Sequence, residues 1–270
     1  MERKRIVVKV GTSTLTHESK GLNFRNIDRI ARALADLRNS GHEIVLVTSG
    51  AIGVGVVKMH MRQRPADVRM KQACAAIGQC ELMHLYDKVF GEYGATVGQI
   101  LMTRDDVDRP NVKESLTGTF QALLQMGVIP VVNENDSVCY EEIESEHKVF
   151  GDNDTLSAVV AALVKADLLV LMSDIDGLYD ADPHQSSDAR LIPVIDELSD
   201  DILALGGGAG SAVGTGGMYT KLEAAKIAMG AGINMAIING AYPESLYVLA
   251  DGGQVGTLFR AKRQGETNHD

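Results

Sequence analysis

The stretch Ile6–Val10 constrains the fold most, because its residues are apolar in succession except for Lys9. A run without period-two alternation predicts a strand that is covered on both faces, as in parallel sheets. Lys9 lies just before Gly11 ends the strand, and a buried ammonium group needs an anion to neutralise it. Ligands of open α/β sheets bind at that end of the strands. The run therefore predicts an anion-binding lysine, and the alternative is an edge strand whose lysine is solvated.

The composition predicts one α/β domain with two lobes and a small ligand. The 270 residues are 45% hydrophobic, which is enough for one large core. The net charge of −10 argues against nucleic acid or an anionic membrane as the partner. Cys74, Cys80 and Cys139 are too few and too irregularly spaced for a zinc site or a disulfide framework. The sequence has neither a signal-peptide-like segment nor a membrane-length apolar run, which predicts a soluble, cytoplasmic protein.

Hydrophobic periodicity predicts strands that alternate with helices. After the first strand, the predicted strands are Ile44–Val47, Val97–Met102, Val128–Val132, Leu168–Met172, Met235–Ile238 and Leu246–Leu249. The predicted helices are Phe24–Leu37, a long helix between Pro65 and Gly91, Leu116–Met126, a helix from Gly151 through Val164, and Tyr219–Met229. The predicted buried faces of the first two are Phe24, Ile27, Ile30, Leu34 and Leu37, then Met70, Ala73, Ile77 and Leu85. The acidic segment Ser137–Phe150 predicts a mobile loop or hairpin over the site.

Several predicted strands end on small or polar residues. In a parallel sheet these ends converge on one edge, where ligands bind. Glycine-opened helix starts also present free N–H groups to an anion, which favours a carboxylate or phosphate ligand. The clusters are Gly11-Thr12, Ser49-Gly50, Asn133-Glu134-Asn135-Asp136, Ser173-Asp174 and Asn239-Gly240.

Two further positions have more than one interpretation. Lys221 lies about one turn into a helix opened by glycines, where it can reach a phosphate, but a lysine at such a position is more often a solvated helix residue. Asp152 and Asp154 are suited to hold a cationic group or Mg²⁺, or simply to cap a helix. The P-loop, the dinucleotide-binding fingerprint and the protein-kinase motifs are all absent from the sequence.

Five segments together resemble the amino acid kinase family, and within it the members that phosphorylate glutamate. The resemblance implies a three-layer αβα sandwich with a mainly parallel central sheet. It implies a kinase domain over residues 1–260, with an amino-acid-binding lobe over about 1–166, an ATP-binding lobe over about 167–260 and a polar tail over 261–270. The segments are Val8–Ser13, Val47–Ile52, Asn133–Asp136, Gly151–Ala158 and Gly214–Lys221.

The resemblance also implies the reaction and the residues that carry it. The reaction is ATP-dependent phosphorylation of the side-chain carboxylate of L-glutamate to L-glutamyl 5-phosphate, the first step of proline biosynthesis. Lys9 and Lys221 would flank the transferring phosphoryl group, and Asp154 would orient both ammonium groups. The implied glutamate-binding residues are Ser49, Gly50, Asp136 and Asn153. The implied ATP-binding residues are Lys9, Ser173, Asp174, Thr215, Gly216, Gly217, Met218, Tyr219, Thr220 and Lys221.

The same resemblance implies Mg²⁺ with the ATP, although the metal ligands stay open. It implies a homo-oligomer, feedback inhibition by proline and hand-over of the product to glutamate-5-semialdehyde dehydrogenase. Many members carry a further C-terminal domain of the PUA kind, and this sequence ends before it. Lys148 lies one residue from a lysine of some members and receives no role.

Two other functions fit parts of the pattern. A sibling kinase for acetylglutamate, aspartate, carbamate or UMP would share the lysines and glycines, but an acetylated amine or a uracil has no use for a carboxylate at Asp136. A non-catalytic effector-binding protein of the same fold would not need Lys9, Asp154 and Lys221 together, and turnover of MgATP would separate the two.

Overall fold

The computed structural model describes residues 2–17, 21–138, 152–183, 186, 188–207 and 217–262. Within them, one eight-stranded sheet is covered by helices on both faces. The strands are β1 Arg5–Val10, β2 Glu43–Val47, β3 Val97–Met102, β4 Ile129–Glu134, β5 Leu168–Ser173, β6 Val194–Ile195, β7 Asn234–Asn239 and β8 Thr257–Phe259. The helices are α1 Thr12–Leu15, α2 Phe24–Asn39, α3 Ala51–Lys58, α4 Val68–Gly91, α5 Arg104–Asp108, α6 Pro110–Gln125, α7 Asn153–Val164, α8 Asp200–Ala204, α9 Met218–Gly230 and α10 Ser245–Ala250.

The first strand lies in the middle of the sheet. The strand order is β3-β4-β2-β1-β5-β7-β8-β6, and β1 pairs in parallel with both β2 and β5. Every residue from Ile6 to Val10 is buried. The prediction of a strand covered on both faces is therefore confirmed, and the alternative of an edge strand with a solvated lysine is wrong.

Alternate residues of β1 enter two separate hydrophobic layers, as the pleat of a strand requires. Ile6, Val8 and Val10 pack with buried residues of α2, α4 and α10. Val7 packs with buried residues of α6, α7 and α9 on the opposite face. The molecule is thus the three-layer αβα sandwich that the resemblance implied. One strand, β8, runs antiparallel to its neighbour β7, so the sheet is mainly rather than wholly parallel.

The prediction of a strand at Leu246–Leu249 is wrong, because this segment forms part of helix α10. Leu246, Leu249 and Ala250 are buried at helical spacing against the α2 side of the sheet. A short apolar run fits a strand or a buried helix equally well, so periodicity alone did not separate them. The neighbour of β7 is supplied instead by Thr257–Phe259.

The predicted buried face of α2 is right for four residues, Ile27, Ile30, Leu34 and Leu37, and wrong for Phe24. Phe24 is 61% exposed, because it begins the helix ahead of the turns that cross the sheet.

The long helix α4 is confirmed, but its predicted buried face is wrong at its start. Met70 and Ala73 are exposed, and the buried face begins instead at Cys74 and passes through Gly78. Small residues decide this, because α3 crosses α4 at backbone contact distance. A methyl group added at Gly78 would lie 1.8 Å from the carbonyl oxygen of Ala51. Hydrophobic periodicity does not register such a contact, because it gives a glycine no weight.

Two predicted segments lie partly outside the described residues. Residues 139–150, which hold most of the predicted loop over the site and Lys148, are outside, and so are residues 263–270 of the predicted tail. Ala261, the first residue of that tail, is buried and its N–H donates to Oδ1 of Asn234 at 2.9 Å. It therefore belongs to the folded domain. In the described part of the chain, no helix is both long and apolar enough to span a membrane.

Two glycine-to-alanine changes, one in the contact between α3 and α4 and one outside it, should have opposite effects on stability. We expect Gly78→Ala to lower the free energy of unfolding by about 1–3 kcal/mol, because its methyl group would overlap a backbone carbonyl. The control is Gly118→Ala in the exposed middle of α6, where an added methyl group meets nothing within 4 Å. That change should raise the free energy of unfolding by up to about 1 kcal/mol. Urea denaturation of both variants measures the difference, and equal stability of the two would contradict this packing.

Candidate active site

A cleft of about 700 Å³ opens where the carboxyl ends of β1, β2, β4 and β5 meet. These ends share one edge because the four strands are parallel, which is why residues far apart in sequence converge there. The lining of the cleft includes most of the predicted site residues, namely Lys9, Ser49, Gly50, Asp136, Asn153, Asp154, Ser173, Asp174, Gly217, Met218 and Lys221.

The floor of the cleft holds two lysines on one carboxylate. Nζ of Lys9 lies 2.5 Å from Oδ1 of Asp154, and Nζ of Lys221 lies 3.3 Å from Oδ2. All three residues are buried, and Asp154 is 0% exposed. Two ammonium groups against one carboxylate leave this trio with one positive charge in excess. A buried group with two ammonium groups and one carboxylate is suited to bind an anionic ligand, whose charge it can neutralise.

The solvated interpretation of Lys221 is thereby wrong, because its side chain is only 7% exposed. The helix α9 begins at Met218 and carries Lys221 one turn later, facing the first turn of α7, which carries Asp154. Thr220 also reaches this carboxylate, donating its hydroxyl to Oδ2 of Asp154 at 2.8 Å.

Two opposing effects set the pKa of Asp154. Burial by itself raises the pKa, but the ammonium groups of Lys9 and Lys221, with hydrogen bonds from Lys9 and Thr220, outweigh burial and hold the pKa below its ordinary value. The carboxylate is therefore ionised at neutral pH and orients both lysines towards the cleft.

A glycine permits the close approach of α3 to the cleft floor. Gly50 precedes α3 with φ +88°, in the left-handed region that favours glycine. The first residues of α3 line the cleft, and the N–H groups of a helix's first turn have no partner within the helix and can bind a ligand. Ser49 joins the ends of two strands, because its hydroxyl donates to the carbonyl oxygen of Val10 at 3.1 Å and lies 3.2 Å from Oγ1 of Thr12.

A chain of side-chain amides fixes Asn153. Its Nδ2 donates to the carbonyl oxygen of Thr48 at 2.6 Å and to Oδ1 of Asn133 at 3.1 Å. Asn133 in turn donates to Oε1 of Gln79 at 2.9 Å, and Gln79 to Oε1 of Gln99 at 3.3 Å. Both amide hydrogens of Asn153 are thus committed within the protein. Its Oδ1 is the atom left to meet a ligand, and it can only accept a hydrogen bond.

Asp136 lies just after β4 and lines the same cleft as the trio. Burial raises its pKa, and the positive charge of Arg64, which also lines the cleft, opposes that rise. Asp136 is thus a half-buried carboxyl group with a guanidinium in its neighbourhood. A further positive charge beside it would lower its pKa.

Asp152 caps the start of α7, in agreement with the helix-cap interpretation of the sequence. Its carboxylate accepts from the N–H of Thr155 at 2.8 Å and from Oγ1 of the same residue at 3.1 Å. Burial raises the pKa of Asp152. Across the described residues, no three histidine, cysteine or acidic side chains are grouped so as to hold a metal ion.

The residues predicted to bind ATP are placed less uniformly. Ser173, the last residue of β5, and Asp174, the residue after it, line the cleft, and the hydroxyl of Ser173 donates to Oδ1 of Asp174 at 3.0 Å. Tyr219 is 42% exposed and is not among the described residues that line the cleft. Thr215 and Gly216 lie outside the described residues.

Sequence reasoning missed some residues of the cleft. Arg64 lies in the irregular segment between α3 and α4, where no periodicity predicts the direction of a side chain. Gln79 is a buried polar residue on the inner face of α4. A correct prediction of that face would have shown a polar residue among apolar ones, which is a sign of a functional or structural role.

The cleft has a buried pair of lysines and a helix that begins after a glycine, and it lies at the carboxyl edge of a parallel sheet. These features define a class of α/β proteins that bind anionic ligands. Residues 4–239 match the amino acid kinase family, and the chain belongs to that family.

Proteins of similar sequence share one name. The chain is 50% identical to a glutamate 5-kinase of Clostridium perfringens over 97% of each chain. It is 52% identical to a glutamate 5-kinase of Clostridium tetani, over 96% of this chain and 95% of that protein. It is 50% identical to one of Listeria monocytogenes, over 99% of this chain and 96% of that protein.

Solved structures of much lower identity share the fold. A carbamate kinase from Giardia lamblia superposes with a TM-score of 0.68 at 16% identity, covering 96% of this chain and 99% of that one. A UMP kinase from Ureaplasma parvum gives a TM-score of 0.64 at 13% identity, covering 96% of this chain and 100% of that one. The predicted fold class is confirmed.

The trio predicts a large effect of Asp154→Asn on stability. This change leaves two buried ammonium groups facing a neutral amide, so we expect the unfolding free energy at neutral pH to fall by about 3–5 kcal/mol. Asp67→Asn is the control, because Asp67 caps α4 through the N–H of Met70 and asparagine caps about equally well.

Urea denaturation at several pH values checks this. The pKa of Asp154 is lowered in the folded protein, so its stabilisation is present above the unfolded pKa near 3.8 and is lost as the pH falls through the folded value. The gap between wild type and Asp154→Asn should therefore close in acid. Equal stability at neutral pH would mean that the carboxylate does not hold the lysines.

Proposed function

We propose that the protein transfers the γ-phosphoryl group of ATP to the side-chain carboxylate of L-glutamate, giving L-glutamyl 5-phosphate, the first step of proline biosynthesis. The observation that carries the proposal is the buried Lys9–Asp154–Lys221 trio, set in a cleft of about 700 Å³. About half of the residues are identical to glutamate 5-kinases over almost the whole chain, which supports the choice of glutamate.

The chemistry asks for charge stabilisation rather than proton transfer. The side-chain carboxylate of glutamate has an ordinary pKa of about 4.3, so it is ionised at neutral pH and needs no general base. One of its oxygens forms a bond to the γ-phosphorus while the bond from that phosphorus to the β,γ-bridging oxygen breaks, and ADP leaves with the electron pair. Negative charge spreads over the transferring oxygens. Lys9, Lys221 and the N–H groups of the first turn of α3 are the groups that would neutralise it.

Asp154 acts in this scheme through the lysines. Its buried carboxylate holds both ammonium groups in place before the substrates arrive, so no reorganisation is needed during the transfer. Thr220, on the same carboxylate, restricts its rotation.

The part of the cleft around Asp136, which we call its amino-acid end, suits a free α-ammonium group. Asp136 offers a carboxylate there, and pairing with an ammonium group lowers the pKa that burial raises. The committed amide hydrogens of Asn153 leave an acceptor oxygen for the same group. Ser49 and the N–H groups after Gly50 would receive the reacting carboxylate.

ATP would lie over β5 and the start of α9, near Ser173, Asp174, Gly217 and Met218. Thr215 and Gly216, which lie outside the described residues, stay predicted to bind ATP by the resemblance. A protein of the same fold, the carbamate kinase of Giardia lamblia, was solved bound to AMP-PNP. We propose that Mg²⁺ enters on the ATP phosphates. Asp152 and Asp174, which line the cleft, are the carboxylates that could assist it.

The remaining features of the family belong to the same proposal. They are an amino-acid lobe over about 1–166 and an ATP lobe over about 167–260, a homo-oligomer, proline acting as a feedback inhibitor, hand-over of the labile acyl phosphate to glutamate-5-semialdehyde dehydrogenase, and a location in the cytoplasm.

Trapping of the product tests the substrate. An acyl phosphate is a mixed anhydride that hydroxylamine converts to a hydroxamate. We expect purified protein with MgATP, hydroxylamine and L-glutamate to form the hydroxamate, and N-acetylglutamate to react at least about 100-fold less well, because it lacks the ammonium group that Asp136 would pair. Hydroxamate from N-acetylglutamate but not from glutamate would overturn the assignment.

Asp136→Asn tests the ammonium site. We expect the KM for L-glutamate to rise by about 30-fold or more and the KM for MgATP to stay nearly unchanged, because only glutamate carries the paired ammonium group. In the wild type, the KM for glutamate should also rise as the pH falls through the raised pKa of Asp136. Asp87→Asn, on the exposed side of α4, is the matched control. Equal losses for both substrates would move Asp136 to the metal or to the fold.

A further inference from the structure

Arg64 is a cationic residue of the cleft that is separate from the trio. It belongs to the segment between the end of α3 and the start of α4, and it lines the cleft together with Asp136. Its positive charge acts on Asp136, since it opposes the rise in the pKa of that carboxyl group. The other two cationic residues among the described cleft lining, Lys9 and Lys221, lie against Asp154 instead.

Among the described residues, no acidic oxygen lies within 4.0 Å of the guanidinium of Arg64, so no ion pair there occupies its N–H groups. A guanidinium that faces a ligand cleft without a carboxylate is suited to receive one from the ligand, because its planar fork matches the two oxygens of a carboxylate.

The geometry of an α-amino acid selects which carboxylate this is. The α-carboxylate and the α-ammonium group are bonded to the same carbon, so a substrate whose ammonium group pairs with Asp136 must place its α-carboxylate near Asp136 as well. The reacting carboxylate has to lie at the trio. Arg64 is the described cationic residue beside Asp136.

We propose that Arg64 binds the α-carboxylate of the amino-acid substrate and makes the enzyme selective for α-amino acids over the corresponding amines. The proposal rests on the proposed function, because it takes glutamate as the substrate. Asp136 and Arg64 then form a complementary pair for the two charges on the α-carbon, and the trio receives the third charge.

The test compares L-glutamate with 4-aminobutyrate, which has the same ammonium group and reacting carboxylate but lacks the α-carboxylate. In the hydroxylamine assay we expect Arg64→Ala to lower kcat/KM for L-glutamate by about 30-fold or more. The same change should alter kcat/KM for 4-aminobutyrate by less than about 3-fold, because that substrate has nothing for Arg64 to bind. The preference of the wild type for glutamate should therefore largely disappear. If turnover of 4-aminobutyrate is too slow to follow, its inhibition constant against L-glutamate replaces kcat/KM.

Matched variants separate this role from a structural one. Arg62→Ala removes an exposed arginine from the same segment, outside the cleft lining, and should leave both substrates unchanged. Arg64→Lys should recover part of the loss for glutamate, because it restores the charge without the fork. The KM for MgATP and the melting temperature should stay at wild-type values in all three variants.

The outcomes are distinguishable from failure of the proposed function. Wild type that forms no hydroxamate from L-glutamate overturns the proposed function and this inference with it. Wild type that does so, while Arg64→Ala loses equally with glutamate and 4-aminobutyrate or loses with neither, leaves the function standing and overturns the role of Arg64.

Discussion

The structure depends on one buried carboxylate that serves two lysines. Asp154 is fully buried, and no single neighbour balances the cost of its burial, since Lys9, Lys221 and Thr220 all contribute. These groups come from β1, α7 and α9, so the three elements must meet for the charge to be satisfied. The resulting excess of positive charge among buried side chains is what makes the edge of the sheet an anion site.

Packing elsewhere brings the other groups of the site to that charge. β1 is central, so its end is flanked by the ends of β2 and β5, and both bring polar residues to the cleft. α3 is held by a glycine contact with α4 that leaves no room for a side chain, which fixes the start of α3 at the cleft. α4 also carries Gln79, which belongs to the amide chain that orients Asn153. The same helix pair therefore positions two parts of the cleft.

Much of the fold could be predicted because its signals are local. The covered strand at Ile6–Val10 and the strand Val97–Met102 follow from runs of apolar residues. The errors fall where local signals are ambiguous. Leu246–Leu249 is too short for periodicity to separate helix from strand, and at the start of α4 the buried face is set by Gly78 rather than by large apolar residues.

The sequence by itself determined the chemical inventory of the site: a lysine in a covered strand, glycines that open helices, and carboxylates at strand and helix ends. Only the tertiary structure decided which of them meet. It put Lys221 on Asp154 rather than in solvent, turned Thr220 towards the same carboxylate, and placed Arg64 near Asp136 from a segment without periodicity. The physical reason is that a buried charge is balanced by whichever groups the packed elements bring within a few ångströms, and that distance is set by contacts between residues far apart in the chain.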